Sequence, residues 1–282
     1  MRFFIRPIVF LATASAAYLT VSTNGTSALQ ILSFLNQLEV SILDKLAIQT
    51  NSTSFHQASE QEQVGITAID YVFKAAGADR VPRCNYRLPN STSSLISLKR
   101  TTDIIRTATV LGMLEYLQDS HPSLLLPVMV AIAVTRSLQE TFDGPQTSQV
   151  SERTSILTPI TPEWAFSLIT HFMASDSCAV QPTLRRNPAL EISSRNGTSV
   201  SFTWEPLSAA SNNRTLYIGW ASQLRKPIYS PVKLTSPNSG TVSLPDGLWG
   251  FVVAVLTGDT PNNVYDLSAI AMSGPAIAEI VF

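Results

Sequence analysis

Hydrophobic residues recur at helical spacing in the first half of the chain, and they alternate with polar residues in much of the second half. Apolar positions three and four residues apart predict four helices, at about 27–49, 55–76, 95–118 and 123–142. Gly77 follows the second helix as a C-cap, and the His121-Pro122 pair separates the third helix from the fourth. Residues 78–94 contain Pro82 and Pro89 and predict one long crossover between the second and third helices.

From about residue 189 the period of the pattern changes to that of strands. Residues 200–204, 216–220 and 241–244 alternate, whereas 248–256 is a continuous apolar run that predicts a strand buried on both faces, Trp249 included. Residues 143–188 begin rich in Ser, Thr, Pro and Gln and predict a linker with a short helix that begins at Thr161. The predicted fold class is therefore α+β: a ferritin-like four-helix bundle over 27–142, followed by a small C-terminal β-sandwich over 189–282.

Glu39 lies within the apolar stripe of the first predicted helix. Residues Leu32, Leu35, Ile42 and Leu46 share its face of that helix by their spacing. A carboxylate among apolar side chains is costly unless it is paired, protonated or bound to a cation. Glu39 is therefore a candidate metal ligand.

The other helices offer few partners for a metal at Glu39. A di-iron or di-manganese bundle takes a Glu from each of two helices and a Glu-x-x-His from each of the other two. The second helix offers Glu60, but Gln63 stands at the histidine position. The third offers Asp103 and Glu115, and the fourth has Val134 in place of an acid. Glu39 and Glu60 are thus the candidate metal ligands of a degenerate site.

Three hypotheses follow for this site. In the first, no metal or other cofactor binds, and the carboxylates are satisfied by nearby side chains: Thr107, Thr109, Gln63 or Arg136. In the second, the chain is a metal-dependent oxidase or iron-binding protein that holds iron or manganese with Glu39, Glu60 and a third carboxylate such as Glu115. In the third, a small apolar ligand occupies the bundle core. The first hypothesis is favoured because the ligand set is so incomplete.

The N-terminus and the cysteines indicate the compartment. Arg2 and Arg6 precede a short apolar run, and Ala14-Ser15-Ala16 supplies a cleavage site, so residues 1–16 predict a signal peptide too short to cross a bilayer. Cys84 and Cys178 predict one disulfide in an oxidising compartment, with two free buried thiols as the alternative. Five Asn-x-Ser/Thr motifs predict N-glycosylation, at Asn24, Asn51, Asn90, Asn196 and Asn213. A secreted glycoprotein without a membrane span is therefore expected.

The charge content changes this picture little. The net charge is −1 and only 14% of residues are charged, against about 25% in an average soluble domain, so no nucleic-acid partner is expected. The sequence has no G-x-S-x-G elbow, no phosphate-binding glycine loop and no H-E-x-x-H motif. These observations favour a protein that is not an enzyme.

Several short segments, in the same order along the chain, carry a family resemblance. They are Leu38-Glu39, Glu60–Val64, Ala75–Ala78, Val81–Tyr86, Thr135-Arg136, Pro162–Phe166, Cys178 and Ser273–Ile277. With these segments the chain resembles the fungal secreted ferritin-like proteins known as stress-response and late sexual development proteins. The resemblance implies a ferritin-like bundle followed by a small β domain.

The same resemblance bears on the metal. Metal-competent relatives carry Glu-x-x-His on the second helix and a Glu before the Thr-Arg pair of the fourth, where this chain has Gln63 and Val134. The expected function is therefore a structural or surface-interaction role in stress or development. The expected contact is a cell wall or another extracellular surface.

Overall fold

The computed structural model of the chain describes residues 23–75, 77–113, 158–178, 182–207 and 215–280. Three long helices come first: α1 (Thr23–Thr50), α2 (Thr53–Ala75) and α3 (Thr92–Gly112). Two short helices, α4 (Pro162–Thr170) and α5 (Val264–Ile270), follow later in the chain. The helices α3, α4 and α5 begin at side chains that cap a backbone N–H, which are Ser91, Thr161 and Asn263.

The strands of the C-terminal half form two antiparallel sheets. The strands are β1 (Leu190–Asn196), β2 (Ser199–Trp204), β3 (Tyr217–Ser222), β4 (Ile228–Pro231), β5 (Lys233–Ser236), β6 (Ser239–Ser243), β7 (Gly250–Thr257) and β8 (Ser273–Ile280). The first sheet has the order β1-β2-β6-β5, and the second has the order β4-β3-β7-β8. The chain crosses from the second sheet to the first at Val232, between β4 and β5.

One apolar cluster joins the two sheets. Phe202 and Trp204 of the first sheet lie in the same cluster as Trp220 and Val252 of the second. The rings of Phe202 and Trp220 meet edge to face, with their centroids 5.7 Å apart. Aromatic burial therefore holds one face of each sheet against the other.

The opposite face of the second sheet packs against the helices. Every residue of β7 is buried. Its side chains alternate between the two faces, so Phe251, Val253 and Val255 join a cluster that also contains Phe34 of α1 and Trp164 of α4. The helices and the second sheet therefore share one apolar core.

Close backbone packing fixes the end of α3 against the residues that lead into α4. The amide of Ile160 donates to the carbonyl of Ala108 at 3.0 Å. A Cβ atom at Gly112 would collide with the carbonyl group of Ile160. The last turn of α3 therefore needs glycine for this approach.

The predicted fold class, a ferritin-like four-helix bundle followed by a β-sandwich, is wrong. Among the described residues α1 packs against α2, α3 and α4, but these helices do not form a four-helix bundle, and the strand-rich C-terminal region forms two sheets. An apolar stripe shows only that one face of a helix is covered, and a sheet covers it as well as another helix does. The predicted fourth helix and the signal peptide lie outside the described residues.

Candidate functional site

Glu39 is fully buried in the middle of α1, with no exposed surface. Its Oε2 atom lies 3.2 Å from Nη1 of Arg106, on α3. Arg106 is itself only 2% exposed. The charge of the Glu39 carboxylate is thus met inside the protein by a guanidinium.

The same guanidinium binds a second carboxylate and an amide. Its Nη2 donates to Oε1 of Glu62, on α2, at 3.1 Å, and its Nη1 contacts Glu62 Oε2. Nη1 also donates to Oδ1 of Asn36, one turn before Glu39, at 3.0 Å. The two-pronged pairing with Glu62 matches the planar fork of arginine and gives a strong, directional contact. We refer to Asn36, Glu39, Glu62 and Arg106 as the Arg106 cluster.

The Arg106 cluster carries two negative charges and one positive charge. Burial by itself favours the neutral guanidine and lowers the pKa of Arg106, but the two carboxylates outweigh this effect and hold the pKa above its ordinary value. Arg106 therefore stays charged. The cluster ties together α1, α2 and α3 through one side chain.

Helical spacing explains why Glu62, and not Glu60, belongs to this cluster. The buried face of α2 includes Ser59, Glu62, Ile66 and Ile69, which follow one another at intervals of three or four residues. Glu60 lies on the other face, where its side chain is 69% exposed and 3.6 Å from His56. The structure therefore does not bring the two candidate metal ligands together.

The expected neutral partners of Glu39 make other contacts. The Thr107 hydroxyl donates to the carbonyl of Asp103, and that of Thr109 donates to the carbonyl of Ile105. Gln63 accepts a 2.7 Å hydrogen bond from Arg83. The side chain of Asp103 lies 3.2 Å from Lys99. Glu115, Val134 and Arg136 lie outside the described residues.

The donor set of the Arg106 cluster does not fit a metal ion. A guanidinium has only donors and carries a positive charge, so it repels a cation from the space between Glu39 and Glu62. Within the described ranges, no group of three or more His, Cys, Asp or Glu side chains is arranged to hold a metal. Sequence reasoning missed both Glu62 and Arg106, although each lies in the stripe of buried positions on its helix.

A second group of charges surrounds the end of α4. His171 follows the last residue of this helix. Partial burial lowers the pKa of His171, and so does the nearby Arg186, while Glu191 and Glu205 oppose this shift. The imidazole is therefore biased toward its neutral form.

The predicted disulfide between Cys84 and Cys178 is confirmed. It joins the segment after α2 to the segment after α4, and these two segments run side by side. The amide of Arg87 donates to the carbonyl of Phe172 at 2.7 Å. The buried Gln37 of α1 accepts a 3.2 Å hydrogen bond from the amide of Cys84. The disulfide thus fastens the long crossover to α1 and to the end of α4.

Three of the predicted glycosylation sites have exposed asparagines. Asn51 lies between α1 and α2, Asn90 directly precedes the cap of α3, and Asn196 ends β1 at its tight turn into β2. Asn24 lies in the first turn of α1, and Asn213 lies outside the described residues. The exposed sites are in positions that an oligosaccharide can reach.

Comparisons with known proteins do not assign the chain to a family. No family model and no curated protein sequence matches it. The resemblance to the fungal stress-response and late sexual development proteins therefore stays a prediction. In the described part of the chain, none of the helices combines the length and the apolar character that a membrane span requires.

Proposed function

We propose that the protein is a secreted, N-glycosylated protein with a structural or surface-interaction role, and that its buried charges stabilise the fold instead of carrying out catalysis. The observation that carries this proposal is the position of Arg106 between Glu39 and Glu62. An internal cation already satisfies the carboxylates that would otherwise suggest a metal site.

The chemistry of the Arg106 cluster supports a structural role. Arginine does not release its proton at physiological pH, so it serves neither as a general base nor as a general acid. Glu39, Glu62 and Arg106 are 0%, 6% and 2% exposed, which leaves very little of their surface for a substrate to touch. Such a cluster holds three helices together through noncovalent contacts of one side chain.

The covalent features support secretion. A disulfide persists in oxidising compartments and is rare in the reducing cytosol. Asn51, Asn90 and Asn196 are exposed outside the helices, where glycosylation is sterically allowed. We extend the proposal to a role in stress or development, at a cell wall or another extracellular surface. This extension rests on the family resemblance alone.

Expression of the full chain in a eukaryotic secretory host tests the compartment. We expect protein in the medium with an N-terminus near Ala17, and a mass that falls after treatment with an endoglycosidase. Asn51→Gln, Asn90→Gln and Asn196→Gln should each remove one glycan. The control is Asn262→Gln, an exposed asparagine outside any acceptor motif. Retention of an unglycosylated chain inside the cell would overturn the secreted assignment.

Elemental analysis of the same secreted protein tests the structural role. After anaerobic loading with iron or manganese and removal of free metal, we expect far less than one metal per chain. Stoichiometric metal that disappears in Glu39→Gln would show that the carboxylates bind a cation other than Arg106.

A further inference from the structure

A polar pocket lies at the corner where the chain crosses from the second sheet to the first. Its volume is about 370 Å³, within the range of small-molecule sites. Residues of β4, β5 and β6, the first residue of β2 and the loop after β6 line it, among them Tyr229, Lys233, Thr241, Ser243 and Asp246. None of these residues belongs to the Arg106 cluster.

The rim of this pocket carries one positive and one negative side chain that do not form an ion pair with each other. Lys233 and Asp246 are both exposed, and neither side chain has a hydrogen bond or an ion pair with another residue in the described part of the chain. The hydroxyl groups of Ser199, Thr241 and Ser243 complete the polar lining. The pocket thus offers an ammonium group that donates hydrogen bonds, a carboxylate that accepts them and hydroxyl groups that do both. The charges of Lys233 and Asp246 add to zero.

Apolar surface lies among these polar groups. Pro231, Leu244 and Pro245 line the pocket together with the ring of Tyr229. The Tyr229 hydroxyl donates to the carbonyl of Pro261 at 2.5 Å, which fixes the ring. Burial raises the pKa of Tyr229 to about 12, so the ring adds no charge at neutral pH.

An exposed tryptophan lies in the same loop as Asp246. Trp164, Trp204 and Trp220 are at most 5% exposed, whereas Trp249 is 37% exposed, contrary to the expectation that it packs in the core. It follows Asp246 by three positions, in the connection between β6 and β7. Trp249 is not one of the residues that line the pocket, so it contributes nothing to the argument for a ligand there.

We propose that this pocket binds a neutral sugar unit, such as the terminal hexose of an extracellular glycan. A hexose presents several hydroxyls, each both a donor and an acceptor, beside faces of C–H groups. Asp246 accepts from sugar hydroxyls, Lys233 donates to sugar oxygens, and the proline and tyrosine surfaces cover the C–H faces. The absence of net charge in the lining favours a neutral ligand over a phosphate or an acidic sugar. This inference rests on the proposed surface-interaction role and names its ligand.

Titration of the secreted protein with sugars tests the inference. The protein is first treated with an endoglycosidase, so that its own glycans do not compete. Glucose, mannose, galactose and N-acetylglucosamine, and short oligomers of each, are followed by calorimetry. We expect at least one of them to bind saturably, and Asp246→Asn and Lys233→Met each to weaken that binding at least tenfold. Stronger binding of the oligomer than of the monomer shows that the site contacts more than one sugar unit.

Matched controls keep the test specific. Asp79→Asn and Lys74→Met replace exposed residues of the same types near α2, and they should leave sugar binding unchanged. Melting temperatures within about 2 °C of the parent show that a variant is folded. No binding by any sugar, or binding that Asp246→Asn and Lys233→Met leave unchanged, overturns the inference. Secretion and glycosylation are scored separately, so a secreted protein that binds no sugar refutes this inference and leaves the secreted assignment standing.

Discussion

Replacing Arg106 by methionine removes the positive charge of the Arg106 cluster and leaves two carboxylates in the protein interior. Methionine keeps much of the length of the side chain, so the change is mainly electrostatic. Breaking a buried ion pair by removing one partner costs about 3–5 kcal/mol, because the remaining charge has lost both water and its counter-ion. Here two carboxylates, Glu39 and Glu62, lose the same partner. We therefore expect Arg106→Met to lower the free energy of unfolding by at least about 3 kcal/mol.

The expected change is large enough to read from a melting curve. For chains of roughly this size, 1 kcal/mol shifts the melting temperature by about 2–4 °C, so Arg106→Met should lower it by about 6–20 °C at pH 7. Urea unfolding at 25 °C gives the free energy independently. The matched control is Arg100→Met on the same helix, since Arg100 pairs with Glu279 at 3.0 Å with both side chains about half exposed. A surface pair of that kind contributes about 0–1 kcal/mol.

The pH dependence of the loss identifies its cause. In Arg106→Met the interior carboxyl groups bind protons when the chain folds near neutral pH. In the unfolded chain the same groups bind protons only near pH 4. The folded variant then binds more protons than its unfolded state, so its stability rises as the pH falls from 7 toward about 4–5. We expect the deficit relative to the parent protein to be smaller at pH 5 than at pH 7. A loss no greater than that of Arg100→Met, or a loss independent of pH, would refute the assignment of Arg106 as the partner of both carboxylates.

Three further changes test other parts of the structure by thermal and urea unfolding. Cys84→Ser should cost about 2–5 kcal/mol, and its melting temperature should then be insensitive to reductant, unlike that of the parent. Gly112→Ala should cost about 1–3 kcal/mol by overpacking, because its new Cβ would meet a backbone carbonyl. Gly65→Ala should cost less, because its new Cβ lies 3.2 Å from the side-chain amide of Asn36, which can shift more easily than backbone; equal effects would contradict the packing of α3. The lowered pKa of His171 makes the unfolded state bind more protons, so stability should fall as the pH drops below about 6.5. His171→Gln should reduce this fall, and an unchanged profile in that variant would refute the assignment.

Local signals were sufficient to place most of the described elements. The stripe that predicts a helix at 27–49 corresponds to α1 at Thr23–Thr50, and the alternation at 200–204 corresponds to β2 at Ser199–Trp204. These elements depend on the spacing of apolar residues and on caps within a few residues, which the chain displays directly. The continuous run at 248–256 also predicts a strand buried on both faces, and all eight residues of β7 are buried.

The same signals do not show whether a helix or a sheet covers each apolar face. The run in β7 shows that two layers enclose the strand, but it does not say that one layer is a sheet and the other a set of helices. All residues from 31 to 40 of α1 are buried, which is more than a single stripe predicts. A helix enclosed on several sides needs more neighbours than α2 and α3 supply, and α4 and the second sheet supply them. The four-helix prediction failed because it assigned every covering layer to helices.

The interior carboxylate shows where a sequence-based argument for a metal should be stricter. A buried Glu39 requires a compensating positive charge, and the pattern alone does not distinguish a metal from an arginine. Yet Arg106 lies three and four residues after Asp103 and Thr102, among the buried positions of α3, and Glu62 occupies the buried face of α2. Adding the charges on all buried faces before invoking a cofactor gives two negative charges and one positive charge for this cluster. One arginine with five donors can serve two carboxylates, so the need for a metal disappears once its position is included.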